Sequence, residues 1–430
     1  MSDLPPRASL RTNFIWLLAE RGWRVVLGLV VSLIVARYLG PADLGLLSYA
    51  SSLCAIVGAV AGFGIDDVLA RELVRQPAAA HSLLAMGVRI KLTGAVVAGG
   101  LALVGGWIWR PGDWPVLALV AWVSIGFFFA PADVVDLWYQ SRERMKQPVL
   151  ARQAAMVAAA VVRLGLVAAQ APLWCFAAAV ALETGLTALG LGLLWLYGDA
   201  RPRPLHEGQW VRVTAGQMLK EGGPLLFSGF LVVITMHCDR LLLVRLSGEA
   251  AAGIYAAAAR LTELMHVLPV ALGAAFLPRF AALHASDPAG YLRMARKAGL
   301  IVVAVTGGLA AGCSLLAPHM IPAVLGGAYR ATAGVWGVQV WTLVFISIVS
   351  IRSRLWVVEG KTGWILAISA VTAVANVLGN WWLIPVYGAV GAAWSGVLAW
   401  GASALVLPWL AAGPARFMRR WCGLANKGDI

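Results

Sequence analysis

Apolar residues run along this chain in stretches of about 20, with polar positions gathered between them at regular intervals. The first two stretches, NFIWLLAERGWRVVLGLVVSLIVARYLG from Asn13 and PADLGLLSYASSLCAIVGAVAGFG from Pro41, are each long enough to cross a bilayer core of roughly 30 Å as a helix. They predict a transmembrane hairpin over residues 12–37 and 44–65. The same pattern predicts ten more spans, near 83–109, 114–138, 149–170, 173–197, 221–246, 251–278, 296–318, 333–357, 363–384 and 388–412. The expected fold class is all-α: a polytopic membrane protein of about twelve transmembrane helices. No strand pattern of alternating polarity interrupts the series.

The connections alternate in chemistry, which tests the count. Arg7, Arg11, Arg21 and Arg24, then Arg71, Arg75, Arg89 and Lys91, then Arg142, Arg144, Lys146 and Arg152 fall at every second end of the series. The alternation continues to the tail, so that 27 of the 34 Lys and Arg lie on one side, against Arg37, Arg110, Arg245 and Arg330 on the other. An error of one span would scramble this order. By the positive-inside rule both termini are expected in the cytoplasm. Trp107, Trp109, Trp114, Trp138, Trp195, Tyr197 and Trp409 fall near span ends, as aromatic belts do.

Composition agrees with this picture: 60% of residues are hydrophobic and 13% charged. The net charge of +14 is scattered in short clusters between apolar runs, which reads as topology rather than as a nucleic-acid surface. Cys54, Cys175, Cys238, Cys313 and Cys422 are far apart and show no metal or CxxC spacing. No P-loop, GxSxG or HExxH is present, so the chain is not expected to be an enzyme.

The longest polar connection, Gly198 to Gly223, divides the spans six and six. Residues 1–197 and 221–412 are therefore expected to form two six-helix lobes, with a cytoplasmic linker at 198–220 and a cytoplasmic tail at 413–430. A repeat supports the division: Arg37, Gly40 and Gly45 in ARYLGPADLG recur as Arg245, Gly248 and Gly253 in VRLSGEAAAG, each displaced by 208 residues. Six spans between equivalents imply halves of the same orientation.

Charges inside the spans supply the candidate chemistry. Asn13, Trp16, Glu20 and Arg24 line one face of the first span; Arg163 lies mid-span, and Glu183 shares a face with Thr187. Ser228, Thr235 and Asp239 share a face of the seventh span, where Arg240 follows directly, and Arg260, Glu263 and His266 share a face of the eighth. Pro269 is placed to kink that helix. An isolated charge at the bilayer centre costs about 2.5–3.5 kcal/mol even on the lenient insertion scale. Such groups therefore pair with one another or face a wet cavity. For Arg21, Asp66, Asp67, Asp133 and Asp136, near cytoplasmic ends, pairing and snorkelling are the plainer explanation. For Arg24, Arg163, Asp239, Arg260 and Glu263 a cavity is the stronger one. His266 sits beside Glu263 and Arg260 and is the one histidine placed for proton chemistry.

The quoted opening, together with GFGIDDVLARELVR, FFFAPADVVDLWYQSRERMKQPVLAR and CDRLLLVRLSGEAAAGIYAAAARLTELMHVLPVAL, resembles the Wzx-type oligosaccharide flippases. These belong to the multidrug/oligosaccharidyl-lipid/polysaccharide exporter superfamily. The resemblance implies a MATE-like fold of two six-helix lobes around a central cavity. It also implies transfer of an undecaprenyl-pyrophosphate-linked oligosaccharide to the outer leaflet of a bacterial inner membrane by alternating access. Related lipid II flippases use arginines of the first and eighth spans for pyrophosphate, and Arg24 and Arg260 occupy those spans here. On this reading Arg24, Arg163 and Arg260 hold the head group. Glu20, Asp239, Glu263 and His266 pair with them or carry H+ or Na+. Polysaccharide polymerase and chain-length machinery are the protein partners, and no nucleic acid is involved. Two alternatives stay open: a cation-coupled small-molecule exporter of the same superfamily, and a membrane-embedded glycan polymerase or assembly subunit. The topology is directly checkable: a reporter fused after residue 430 is expected to report the cytoplasm, and one inserted at Gly112 the opposite side.

Overall fold

A computed structural model describes residues 10–62, 64–198, 214–360 and 363–406. Its described side chains exclude residues 10–25, 224, 225, 228, 270–272, 274, 275, 285, 288 and 406. The side chains of Glu20, Arg21, Arg24 and Ser228, most of the linker, Trp409 and the tail at 413–430 thus lie outside the described residues.

Among the described residues every regular element is helical. Helix α1, Leu10–Ala61, has 52 residues and as a straight rod would measure about 78 Å. It is instead two arms broken at Gly40 (φ 74°, ψ 174°), with Pro41 opening the second, where its missing N–H removes no helical hydrogen bond. There follow α2 Ile65–Arg75, α3 Ala80–Trp109 and α4 Trp114–Ser124, the last running through a 3-10 stretch, Ile125–Ala132, into α5 Asp133–Ser141. Then come α6 Lys146–Ala168, α7 Leu173–Tyr197, α8 Ala215–Leu246, α9 Glu249–Met265 and α10 Val267–Ser286. The series ends with α11 Pro288–Leu325, α12 Thr332–Gln339, α13 Thr342–Val358 and α14 Gly363–Gly401. Helix α14 is broken at Gly388 (φ 56°, ψ −133°).

Eight described segments are long and apolar enough to cross a membrane, and the two longest, Val26–Ala61 and Gly363–Leu405, contain these glycine breaks. Counted as two arms each, and with α8 and the α9–α10 pair added, the helices follow the predicted spans in order and are consistent with twelve crossings. Large side chains are exposed along them, among them Ile108, Val161, Leu315 and Trp382, which suits hydrocarbon rather than water.

Two local features differ from the sequence-based expectation, and the break expected in the eighth span is present. The connection after residue 62 contains α2, whose Ile65, Val68, Leu69, Glu72 and Leu73 are buried while Asp66, Asp67, Arg71 and Arg75 are exposed. Its eleven residues are too few to span, so it escapes a search for long apolar runs. The fourth span is interrupted by the 3-10 stretch containing Pro131, because proline removes a donor and crowds the preceding turn. The eighth divides at His266, between α9 and α10. That is one turn ahead of Pro269, whose ring meets the carbonyl four residues back.

The chain separates into two compact units, one of residues 1–39 and 47–233, the other of residues 40–46 and 234–430, so that the division falls within α8. In the first unit α2 packs on α3 and α5 through Leu69, Leu83, Val134, Trp138 and Tyr139, and Met218 of α8 joins this cluster. Helix α8 is also tied there by an ion pair between Arg71 and Glu221. In the second unit α10, α11 and α13 meet around Phe280, Tyr291, Ala295, Ile351 and Leu355.

The repeated glycine motif has a physical purpose inside the second unit. Gly40 and Gly248 share nearly one backbone conformation, φ 74° and 88° with ψ 174° and 173°, in the region that only glycine enters without strain. Gly45 and Gly253 then lie back to back. A Cβ on Gly45 would overlap the carbonyl of Glu249, and one on Gly253 the carbonyl of Pro41, each reaching 3.0 Å from the other glycine's nitrogen. Glu249 and Pro41 are themselves 208 positions apart, so the contact is reciprocal, as a two-fold relation between repeats requires.

Neither carbonyl belongs to a side chain that can rotate away. Gly45→Ala and Gly253→Ala are each expected to destabilise the purified protein by about 3 kcal/mol, read as a fall in its thermal midpoint, while Gly100→Ala, at a position open to added volume, should leave the midpoint nearly unchanged. Glu72 gives a pH-dependent counterpart. It is buried in α2 outside the predicted spans and accepts from Arg71 Nε (3.0 Å) and Gln76 Nε2 (2.9 Å), with Arg75 3.5 Å away. Burial works against its charge, but these donors outweigh burial and hold its carboxyl below the usual range. A depressed folded-state value means stability present at neutral pH and lost as pH falls through the carboxylate range. Glu72→Gln is therefore expected to lower the midpoint at pH 7 by an amount that shrinks steadily on acidification below about pH 4.

Candidate functional site

The interior charges of the second unit come from two helices. Asp239 and Arg240 are consecutive on α8 and point in different directions, about 100° apart around the helix axis. Both are buried, at 5% and 4% exposure. Asp239 accepts the Tyr255 hydroxyl from α9 and the backbone N–H of Arg240. Arg240 sends Nη2 to Glu263 of α9 and Nη1 to His237 Nδ1 at 3.3 Å. A guanidinium has no acceptor atom, so the imidazole nitrogen accepts in this contact.

Glu263 also faces Arg260, one turn earlier on α9, at 3.7 Å. The carboxylate thus stands between a buried and an exposed guanidinium. The expectation that Arg260 and Glu263 share a face holds. His266 follows on that side at the helix end, where its N–H donates to the Glu263 carbonyl and its buried Nε2 has no partner among the described residues. In the described contacts the two carboxylate oxygens of Asp239 accept from the Tyr255 hydroxyl and the Arg240 amide.

A second polar group adjoins α8. Cys238 Sγ lies 3.0 Å from Asn376 Oδ1, Asn380 Nδ2 donates to the same oxygen at 3.1 Å, and Ser395 Oγ donates to the Asn376 carbonyl at 2.9 Å. These α14 residues were not singled out from the sequence. The signal was there: Asn376 and Asn380 are four apart in an otherwise apolar run, which puts both amides on one helix face.

In the first unit Arg163 of α6 pairs with Glu183 of α7 at 2.7 Å, with side-chain exposures of 24% and 36%. Nearer the span ends, Lys91 pairs with Asp66 at 2.7 Å and Arg152 with Asp136 at 2.6 Å, the interhelical neutralisation expected for those carboxylates. A groove of about 440 Å³ in this unit, lined by Trp122, Phe129, Leu166, Trp174 and Gly185, is apolar and suits hydrocarbon chains rather than a charged head group. Chemically, the α8–α9 cluster offers guanidinium groups able to grip phosphate oxygens in bidentate fashion and carboxylates able to neutralise them.

Known proteins bear on this arrangement. A family model described as polysaccharide biosynthesis protein matches residues 10–284. No curated protein matches the chain. Among solved structures the chain is similar to an inward-facing multidrug resistance MATE family transporter of the MOP superfamily, with TM-score 0.72 and 15% identity over 93% of this chain and 95% of that one. It is also similar to the lipid II flippase MurJ in an inward closed conformation, with TM-score 0.68 and 13% identity over 95% of this chain and 90% of that one. A MOP superfamily transporter from Pyrococcus furiosus matches with TM-score 0.54 and 17% identity, over 96% of this chain and 93% of that one. The helical architecture is thus that of the MATE and MurJ structures, and the chain, a multi-pass membrane protein, belongs to the polysaccharide biosynthesis protein family.

Proposed function

We propose that the protein is a flippase that carries an undecaprenyl-pyrophosphate-linked oligosaccharide from the cytoplasmic to the outer leaflet of a bacterial inner membrane. Residues 1–197 and 221–412 act as the two lobes of an alternating-access cycle, with both termini in the cytoplasm. The observation that supports this most is the guanidinium of Arg260, 62% exposed on a mostly apolar helix and facing Glu263, in a chain of the polysaccharide biosynthesis family.

A pyrophosphate and its sugars cannot enter hydrocarbon unaided, whereas a polyprenyl tail can remain there. The protein's task is a cationic, hydrated path for the head. Arg260 is the first contact in this reading, with Arg24 and Arg163 continuing the path, since guanidinium groups stay charged when desolvated. Glu183 and Glu263 neutralise Arg163 and Arg260 when cargo is absent. Glu20, Asp239, Glu263 and His266 are the groups through which H+ or Na+ resets the cycle. Polymerase and chain-length proteins take up the product.

In a strain lacking this chain, lipid-linked repeat units are expected to accumulate on the cytoplasmic leaflet. Arg260→Ala, and separately Arg24→Ala, should restore translocation to no more than about a tenth of the natural level while protein abundance stays normal. Accumulation on the outer leaflet would point to a polymerase instead. Intact glycan with altered drug resistance would point to a small-molecule exporter.

A further inference from the structure

The apolar groove of the first unit has stiff, aromatic walls. The rings of Trp122 on α4 and Trp174 on α7 stack with centroids 6.0 Å apart. Phe129, supplied by the 3-10 stretch that interrupts the fourth span, lies so near the backbone of α7 that a Cβ on Gly185 would come within 3.2 Å of its ring. Trp122 and Trp174 are both exposed, so the groove is open along the apolar faces that meet hydrocarbon. One end of it is polar. Ala179, a lining residue, accepts through its carbonyl from Arg163 Nη2 at 3.5 Å, and the same nitrogen pairs with Glu183 at 2.7 Å. Glu183 stands ten residues along α7 from its first residue, Leu173, a rise of about 15 Å. That is the middle of a bilayer core of roughly 30 Å. Trp174, at the opposite end of the groove, adjoins Leu173 and thus the membrane surface.

The polar end is therefore the deep end, and that selects the occupant. A resident phospholipid keeps its charged group at the membrane surface, so its chains would enter past Trp174 and bring nothing charged to Arg163. An anionic lipid whose head has been carried to mid-membrane fits the reverse arrangement, with its phosphate at the guanidinium and its chain running toward Trp174. We propose that the groove holds the first isoprene units of a polyprenyl pyrophosphate in transit, while the pyrophosphate exchanges with Glu183 at Arg163. The proposal rests on the reading that the cargo is a polyprenyl pyrophosphate and that Arg163 lies on its path. The exposures of Arg163 and Glu183, 24% and 36%, leave the pair open to such exchange, and a guanidinium grips phosphate oxygens in bidentate fashion. Isoprene units, branched and flattened by their double bonds, lay broad faces against Trp122, Phe129 and Trp174. A straight saturated chain touches fewer of the same atoms, and dispersion contacts accumulate atom by atom. The rest of the tail stays in the bilayer.

The test uses farnesyl pyrophosphate carrying a diazirine at the tip of its chain, bound to the full chain in phosphatidylcholine nanodiscs, cross-linked by light and located by peptide mass. Affinity for farnesyl pyrophosphate and the thermal midpoint are measured for each variant. The label is expected on peptides holding Trp122, Trp174 or Cys175, and an excess of unlabelled farnesyl pyrophosphate should remove it. Ala178→Phe, which fills the groove from α7, is expected to weaken binding about tenfold with the midpoint unchanged. Label that the excess does not displace marks partitioning from the bilayer only and overturns the proposal. Label elsewhere, with natural affinity in Ala178→Phe, removes the tail site but leaves the pyrophosphate reading in place. Absence of saturable binding to the natural chain removes that reading and the proposal with it. Should Ala178→Phe not fold, Trp174→Ala, which takes a wall away, is expected to show a similar loss, and unchanged affinity there overturns the site. Dodecyl pyrophosphate, straight and saturated, should bind the natural chain about threefold more weakly; equal affinity overturns the assignment to an isoprenoid.

Discussion

An ion placed in a helix surrounded by hydrocarbon must find its counter-charge within the protein, and much of this molecule follows from that constraint. In water an exposed ion pair contributes little. Where both members are buried, removing one strands the other and costs about 3–5 kcal/mol. The pairs Arg163–Glu183, Lys91–Asp66, Arg152–Asp136 and Arg240–Glu263 each join two different helices. They specify which faces meet, where apolar side chains alone would tolerate sliding, because lipid tails are as apolar as the side chains themselves.

The second unit adds a contrast between backbone and side-chain contacts. At the turns carrying Gly40 and Gly248, backbone meets backbone at Gly45 and Gly253, leaving no side chain to adapt. Further along α9, Glu263 meets two guanidinium groups through side chains rather than backbone. The repeat motif thus builds a fixed backbone crossing, and the charged cluster three turns away is held by side chains. Breaks at His266 and at the 3-10 stretch before Asp133 place irregular backbone beside titratable residues, a frequent arrangement where helices line polar paths.

Much of this was legible in the residues. Twelve apolar runs, the alternation of basic connections and the motif repeated at a displacement of 208 are local or periodic signals, and each reflects a force that acts on the chain one segment at a time. The amphipathic helix α2 was less visible. Its pattern is helical, but eleven residues carry too short a period to stand out among runs twice as long.

What the sequence determined by itself, therefore, is that the chain is helical, lies in a membrane, repeats itself, and keeps Arg163, Asp239, Arg240, Arg260 and Glu263 at depths where they need partners. What only the tertiary structure decided is the partnership. Nothing in the spacing of Asp239, Arg240 and Glu263 shows that Asp239 is satisfied by Tyr255 and that the buried guanidinium of Arg240, rather than the nearer-in-sequence Arg260, holds Glu263. Periodicity orders side chains around one helix axis. Which neighbouring helix supplies the opposite charge, and how far from solvent the two meet, depends on how α8, α9 and α14 pack, and that is decided by contacts between residues up to 142 positions apart.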